Sequence, residues 1–141
     1  MKFLSVCSGI EAASVAWVPL GFEAVAFSEV DKFPSAVLAH HYPSTPNLGD
    51  MLNFKEWPNY EFNILVGGTP CQSFSVAGLR KGLADPRGNL MLTYLAIADR
   101  YKPEWIVWEN VPGVLSSGHG RDFGTFLGAL GTLGYGWAYR V

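Results

Sequence analysis

The stretch Phe3-Leu4-Ser5-Val6-Cys7-Ser8-Gly9-Ile10-Glu11-Ala12-Ala13-Ser14-Val15-Ala16-Trp17 decides the fold. Its first five residues are a short apolar run of strand character, Ser8-Gly9 makes a turn, and a helix follows from Ile10 to about Trp17, ended near Pro19 and Gly21. Ser8 and Glu11 have the spacing of a capping box, in which a hydroxyl and a carboxyl satisfy the free amides of a helix start. A strand, tight turn and helix in so short a space imply a βαβ unit, and the rest of the chain repeats the alternation. Residues 24–28 read as the second strand, and Asp31 is placed to cap a helix running to about His41, with Pro34 in its first turn. Pro43 and Pro46 enforce a loop, and Asn47-Leu48 is a short extended piece. Asn63-Ile64-Leu65-Val66, closed by Gly67-Gly68, has the length and branching of a buried strand. Leu90, Tyr94, Ile97 and Tyr101 recur at helical spacing, and residues 105–108 read as the next buried strand. Phe123, Phe126, Leu127, Leu130 and Leu133 mark a last helix, and residues 135–141 begin a further strand. The expectation is an α/β domain over residues 1–141, a mostly parallel sheet with flanking helices, incomplete at its carboxyl end.

Composition bounds the function. The chain has 141 residues, of which 49% are hydrophobic and 16% charged, enough apolar surface for one substantial core. Ten Lys and Arg against twelve Asp and Glu leave a net charge of -2, so composition on its own argues against a nucleic-acid or anionic-membrane partner. Apolar runs of about four residues fall far short of the ~20 that a membrane span needs. The opening Met1 to Cys7 is too short for a secretory leader and soon meets Glu11. Cys7 and Cys71 are too few for a disulfide framework, and no Cys/His cluster has zinc spacing. A cytoplasmic protein without a metal is expected.

Parallel sheets gather ligand groups at the carboxyl ends of their strands. Gly9, Glu29, Asp50, Cys71 and Glu109 all fall at or just beyond a predicted strand end, so one crevice collects them. Glu29 follows Gly9 by 20 residues, the arrangement in which a helix N-terminus approaches a nucleoside and a carboxylate accepts from its ribose hydroxyls. A single glycine stands where dinucleotide sites have three, which favours a ligand without a pyrophosphate. Asp50 is placed to accept from an adenine amine, with Met51 packing beside the ring. Cys71 lies in Gly67-Gly68-Thr69-Pro70-Cys71-Gln72-Ser73-Phe74-Ser75, outside any apolar face, where a loop of free amides stabilises a nucleophilic thiolate. Glu109 ends an apolar strand, where desolvation raises a carboxyl pKa and keeps a proton available to donate. Asn110 is placed to fix that loop rather than react. His40 and His41 complement a helix end, His119 sits in a solvated Ser/Gly loop, and the scattered tryptophans read as core. Arg80, Lys81 and Arg87 form a local basic patch that suits phosphate.

These residues resemble the amino-terminal cofactor and catalytic portion of the DNA (cytosine-5) methyltransferases, in the family's order and over essentially the whole chain. Ser8-Gly9-Ile10 is similar to the first cofactor motif, Glu29-Val30-Asp31 to the ribose motif, and Gly49-Asp50-Met51 to the adenine motif. Gly68-Thr69-Pro70-Cys71-Gln72-Ser73-Phe74-Ser75 resembles the nucleophile loop, Arg87-Gly88-Asn89-Leu90 the next motif, and Glu109-Asn110-Val111 the catalytic acid motif. The resemblance implies a Rossmann-like S-adenosylmethionine-dependent methyltransferase fold and methyl transfer to carbon 5 of a flipped cytosine through a covalent Cys71 adduct. It implies catalytic roles for Cys71, Glu109, Pro70 and Asn110. Cofactor contacts fall to Cys7, Ser8, Gly9, Ile10, Glu29, Val30, Asp50, Met51, Gly68 and Leu90, and DNA contacts to Ser75, Arg80, Lys81 and Arg87, with no metal. Three positions depart from the pattern: Cys7 and Val30 stand where aromatics are common, and Ala12 replaces a glycine.

The chain ends before the family's arginine-bearing motif, its target-recognition region and its last cofactor motif, which accounts for the missing basic surface. Double-stranded DNA is therefore expected as partner of the complete enzyme, with this portion inactive alone. It would pair with a complementary carboxyl-terminal half or associate with itself through an unfinished sheet edge. Two other readings stand beside this one. The chain is a non-catalytic subunit or decoy of a split methyltransferase, or a thiol redox protein whose Cys7 and Cys71 meet across neighbouring strands.

Overall fold

The computed structural model describes residues 1–70 and 90–141. Four parallel strands, β1 (Lys2–Val6), β2 (Glu23–Ser28), β3 (Ile64–Gly67) and β4 (Trp105–Trp108), form a sheet in the order β2-β1-β3-β4. The helices among the described residues are α1 (Ala12–Trp17), α2 (Lys32–His41), α3 (Leu90–Tyr101) and α4 (Arg121–Thr132). The chain winds outward from β1 to β2, then crosses back to β3 on the other side of β1. The carboxyl ends of β1 and β3 thus flank the point where strand order reverses, the place where open α/β sheets bind ligands.

Strand register sorts the side chains between two faces, because successive residues point to opposite sides. Leu4 lies beside Ala26 and Leu65, and Leu65 beside Ile106, while Gly67 lies beside Val6 and Trp108. This face packs on α3, α4 and the 3-10 turn Met51–Glu56 in one core that includes Leu4, Val6, Leu65, Phe54, Tyr94, Leu95, Phe126 and Leu130. Every residue of α3 from Met91 to Ala98 is buried, as a helix apolar on all sides must be. Trp108 meets Phe126 with ring centroids 4.2 Å apart. On the other face Phe3 packs edge-on against Trp17 of α1, and Phe27 edge-on against Tyr42 after α2.

That second face is covered over β1 and β2 but not over β4, where Trp105 is 62% and Val107 41% exposed. The strand expected to be buried is therefore buried on one side only, because no helix among the described residues lies over its outer half. Three local expectations also change. Helix α1 begins at Ala12 rather than Ile10, and there is no capping box: Ser8 Oγ donates to the carbonyl of Ser5 at 3.0 Å and Glu11 turns inward. Asp31 precedes α2 in extended conformation, yet its side chain makes no capping bond. Residues 135–141 form no strand, because Tyr135 Oη donates to the carbonyl of Pro103 at 2.7 Å and Tyr139 packs edge-on against Phe123, holding the segment by ring contacts instead of a ladder. Asn47 makes one bridge to Phe27, as far as the short extended piece goes. No helix among the described residues is long and apolar enough to cross a membrane.

Tyr94 joins the two strands that carry the catalytic motifs. Its fully buried Oη donates to the carbonyl of Leu65 at 3.2 Å and that of Val107 at 3.0 Å. Tyr94→Phe keeps the packing and removes both bonds, so urea unfolding should show a loss of about 1–2 kcal/mol with an unchanged slope.

Candidate functional site

The loop leaving β1 turns sharply. Cys7 (φ +49°), Gly9 (φ +55°) and Glu11 (φ +71°) all occupy the left-handed region, which disfavours every residue but glycine. Gly9 N–H donates to Glu29 Oε2 at 2.7 Å, while Val30 N–H and Asp31 N–H donate to Oε1 at 2.8 and 2.9 Å. One carboxylate thereby joins the loops after β1 and β2. A carboxylate has about four acceptor sites, so Glu29 keeps room for a ligand hydroxyl on Oε2. Asn47 brings in a third loop: its Oδ1 accepts from Glu29 N–H at 3.0 Å and Gly49 N–H at 3.1 Å, and its Nδ2 donates to the Glu29 carbonyl at 3.1 Å. Asp50 Oδ1 caps the 3-10 turn through Leu52 N–H at 2.9 Å.

These loops enclose a cleft of about 230 Å³ lined by Cys7, Ser28, Glu29, Val30, Asp31, Gly49, Asp50, Met51, Gly68, Pro70 and Leu90. It brings together seven of the ten residues expected at the cofactor. Ser8, Gly9 and Ile10 do not line it; Ser8 and Gly9 shape the loop behind it, and Ile10 is 61% exposed. Ser28, Asp31 and Gly49 line it without having been expected at the cofactor: Ser28 ends the second strand, Asp31 was read as a helix cap, and Gly49 stands in the adenine motif. Asn47 went unremarked, and its only signal was a polar residue in an extended piece beside a strand end. A larger cleft of about 490 Å³ opens between β4, α4 and residues 134–139, lined mainly by aromatic and aliphatic side chains. It gathers none of the candidate groups Gly9, Glu29, Asp50 or Glu109, so the smaller cleft is the candidate site.

Cys7 is half-buried with its Sγ 3.5 Å from Met51 Sδ. Burial, then the negative charges of Glu29 and Asp50, push its thiol up to about 11. A thiol so firmly protonated at neutral pH is a poor redox nucleophile, which weighs against the thiol redox reading.

On the β3–β4 side, Thr69 is held from two directions. Trp108 Nε1 donates to Thr69 Oγ1 at 3.0 Å, and Asn110 Nδ2 donates to the Thr69 carbonyl at 2.7 Å. Glu109 follows Trp105 and Val107 on the uncovered face and is exposed, so the described residues do not supply the desolvation expected from its apolar strand. Its carboxyl lies against Gly68, where a Cβ would meet Oε2 at 2.5 Å. Cys71, Ser75, Arg80, Lys81 and Arg87 lie outside the described residues. Among the described residues no group of three or more His, Cys, Asp or Glu is placed to hold a metal ion.

A parallel sheet that gathers two carboxylates and an apolar wall at its switch point defines the class, a Rossmann-like methyltransferase fold. A model of the C-5 cytosine-specific DNA methylases matches residues 1–141, and the chain belongs to that family. It is 52% identical over 143 residues, 89% of the chain, to a protein of Escherichia phage P1 named DNA N-6-adenine-methyltransferase, of which it covers 18%. It is 37% identical to the orphan methyltransferase M.SPRI of Bacillus phage SPR and 34% to the type II methyltransferase M.NgoPII of Neisseria gonorrhoeae, over 96% of the chain in each case. It covers 32% and 40% of those two proteins. Among solved structures, DNMT2 of Spodoptera frugiperda superposes with a TM-score of 0.64 and 27% identity over 94% of the chain and 41% of that protein. A prophage-encoded protein of E. coli shares the fold, with a TM-score of 0.68, 18% identity and coverage of 94% of the chain and 38% of that protein.

Two measurements check this geometry. Mass-spectrometric mapping after brief alkylation at pH 7.5 should find Cys7 labelled about a hundredfold more slowly than an ordinary thiol, with labelling rising only as pH approaches 11. Gly68→Ala should leave the melting temperature nearly unchanged, because the atom displaced ends a flexible side chain.

Proposed function

We propose that this chain is the cofactor and catalytic portion of a DNA (cytosine-5) methyltransferase that acts on double-stranded DNA. The observation that carries the reading is the convergence of Glu29, Asp50 and the Gly68–Pro70 segment on one cleft at the carboxyl ends of β1 and β3, with Glu109 against Gly68. The cleft residues fit S-adenosylmethionine: Glu29 accepts from a ribose hydroxyl through Oε2, Asp50 accepts from the adenine amine through the oxygen that does not cap the 3-10 turn, and Val30, Met51 and Leu90 pack on the rings. When bound, S-adenosylmethionine supplies the electrophilic methyl group that carbon 5 of the flipped base takes.

The chain's own residues prepare that carbon. The Cys71 thiolate adds to carbon 6 while Glu109, in its acid form, protonates ring nitrogen 3, and the resulting enamine is nucleophilic at carbon 5. A base or water then removes the carbon 5 proton, Cys71 leaves as thiolate, and ring nitrogen 3 returns its proton to Glu109, which restores the ring and the acid. Pro70 restricts the backbone before the nucleophile, and Asn110 holds the loop through Thr69. Ser75, Arg80, Lys81 and Arg87 contact the DNA. The chain spans 18–40% of the curated relatives named above. The name of the phage P1 relative favours a second reading, N6 methylation of adenine. An exocyclic amine is already a nucleophile, however, and that chemistry leaves a cysteine in the Pro70-Cys71 context unused.

Titration calorimetry with S-adenosylhomocysteine tests the cofactor site. The wild-type chain should bind, and Glu29→Ala should bind at least about tenfold more weakly, or about 1.4 kcal/mol; a folded wild type that fails to bind overturns this assignment. Nucleoside analysis of DNA methylated in the presence of a complementary carboxyl-terminal half should show 5-methylcytosine, lost with Cys71→Ala. N6-methyladenine instead would establish the second reading.

A further inference from the structure

Glu11 is the buried charged residue of the site that neither motif nor cleft accounts for. It is 1% exposed, and its backbone sits at φ +71°, ψ +62°, a conformation that glycine adopts freely and glutamate does not. Its side chain points away from solvent and from the cleft lining. Oε1 accepts from Ser5 Oγ of β1 at 3.0 Å, and Oε2 accepts from Ser14 Oγ of α1 at 2.6 Å; both hydroxyls are buried. The backbone closes the same loop: Glu11 N–H donates to the Ser8 carbonyl at 3.0 Å, and Val15 N–H donates to the Glu11 carbonyl at 3.3 Å. Among the described residues no cation lies within ion-pair distance of its carboxyl.

We propose that Glu11 is a positioning residue for the cofactor site. Its side chain straps the loop after β1 to Ser5 on one side and Ser14 on the other, and so holds Gly9 N–H where it engages Glu29. This rests on the cofactor reading above. The left-handed turn alone is within reach of glycine, so backbone geometry does not explain the glutamate; the two serine bonds across the loop do. From β1 the carboxyl faces Ser5 and from α1 Ser14, and among the described residues its largest influences are burial and these two hydroxyls. Burial pushes the carboxyl above the usual 4.5, partly opposed by the bonds from Ser14 and Ser5. For an acid raised in the folded state, the stabilising contribution is full below the unfolded value and is lost as pH rises through the folded one. Ionised Glu11 is thus a cost to stability that the serine bonds reduce.

The test combines calorimetry with S-adenosylhomocysteine, melting from pH 4 to 8, and hydrogen exchange at the Gly9 amide. Glu11→Gln should bind within about twofold of wild type and lack the wild-type decline in stability above pH 4.5. Glu11→Gly relieves the backbone and should fold, yet bind about tenfold more weakly, with Gly9 exchanging about tenfold faster. The pair Ser5→Ala and Ser14→Ala, which leaves the backbone at residue 11 alone, should reproduce that loss. A merely structural role would move melting and binding together. Wild-type affinity and exchange in Glu11→Gly, or in the serine double variant should the glycine variant not fold, would overturn the proposal. If the wild type itself binds nothing, the cofactor reading fails, and the Gly9 exchange rates still decide for or against the strap.

Discussion

The Glu29 carboxylate is the joint on which the cleft depends. It accepts backbone N–H groups from Gly9, Val30 and Asp31, so the loops that follow β1 and β2 meet at one pair of oxygens. Hydrogen bonds to a charged group contribute about 1.5–3 kcal/mol each, toward the lower end here because the cleft is open to water. The left-handed turns at Cys7 and Glu11 cost about 1–2 kcal/mol apiece. The loop is therefore held by interactions of the same size as its strain, and one carboxylate assembles the rim of the cleft. Asn47 extends the arrangement by tying the Gly49-Asp50 turn to the Glu29 backbone.

The two sides of the site are built on different principles. On the β1–β2 side, a polar lattice around Glu29 and Asn47 ties short loops together. The β3–β4 side rests on the core: α3 buries Tyr94 beneath β3 and β4, and Thr69 is clamped by Trp108 and Asn110. Gly68 is the seam, lining the cleft and leaving space for the Glu109 carboxyl. The outer face of β4 carries Trp105 and Val107 in the open, an apolar surface of the kind that marks an interaction site.

Much of the fold was legible because local patterns and burial agree. The apolar runs at Leu4, Leu65 and Ile106 became neighbouring strands, and the spacing of Leu90, Tyr94 and Ile97 became a helix buried on every side. The site was legible because the strands are parallel, so residues such as Glu29 and Asp50, far apart in sequence, emerge on one edge. Where reading failed, competition between partners decided. Ser8 and Glu11 have capping spacing, but Ser8 bonds to the carbonyl of Ser5 and Glu11 is drawn inward by Ser5 and Ser14. Residues 135–141 have strand composition but pack on Phe123 and Pro103.

The sequence by itself determined the alternation of strands and helices, the parallel sheet and the motifs of the C-5 cytosine-specific DNA methylases, because periodicity and turn chemistry act over a few residues. Only the tertiary structure decided how those groups divide their labour. It gave most of the Glu29 acceptor sites to the backbone, kept the Cys7 thiol protonated, left Glu109 exposed and made Glu11 a buried strap. Each of these depends on which groups from distant segments share a desolvated volume, a property of packing that no local pattern records.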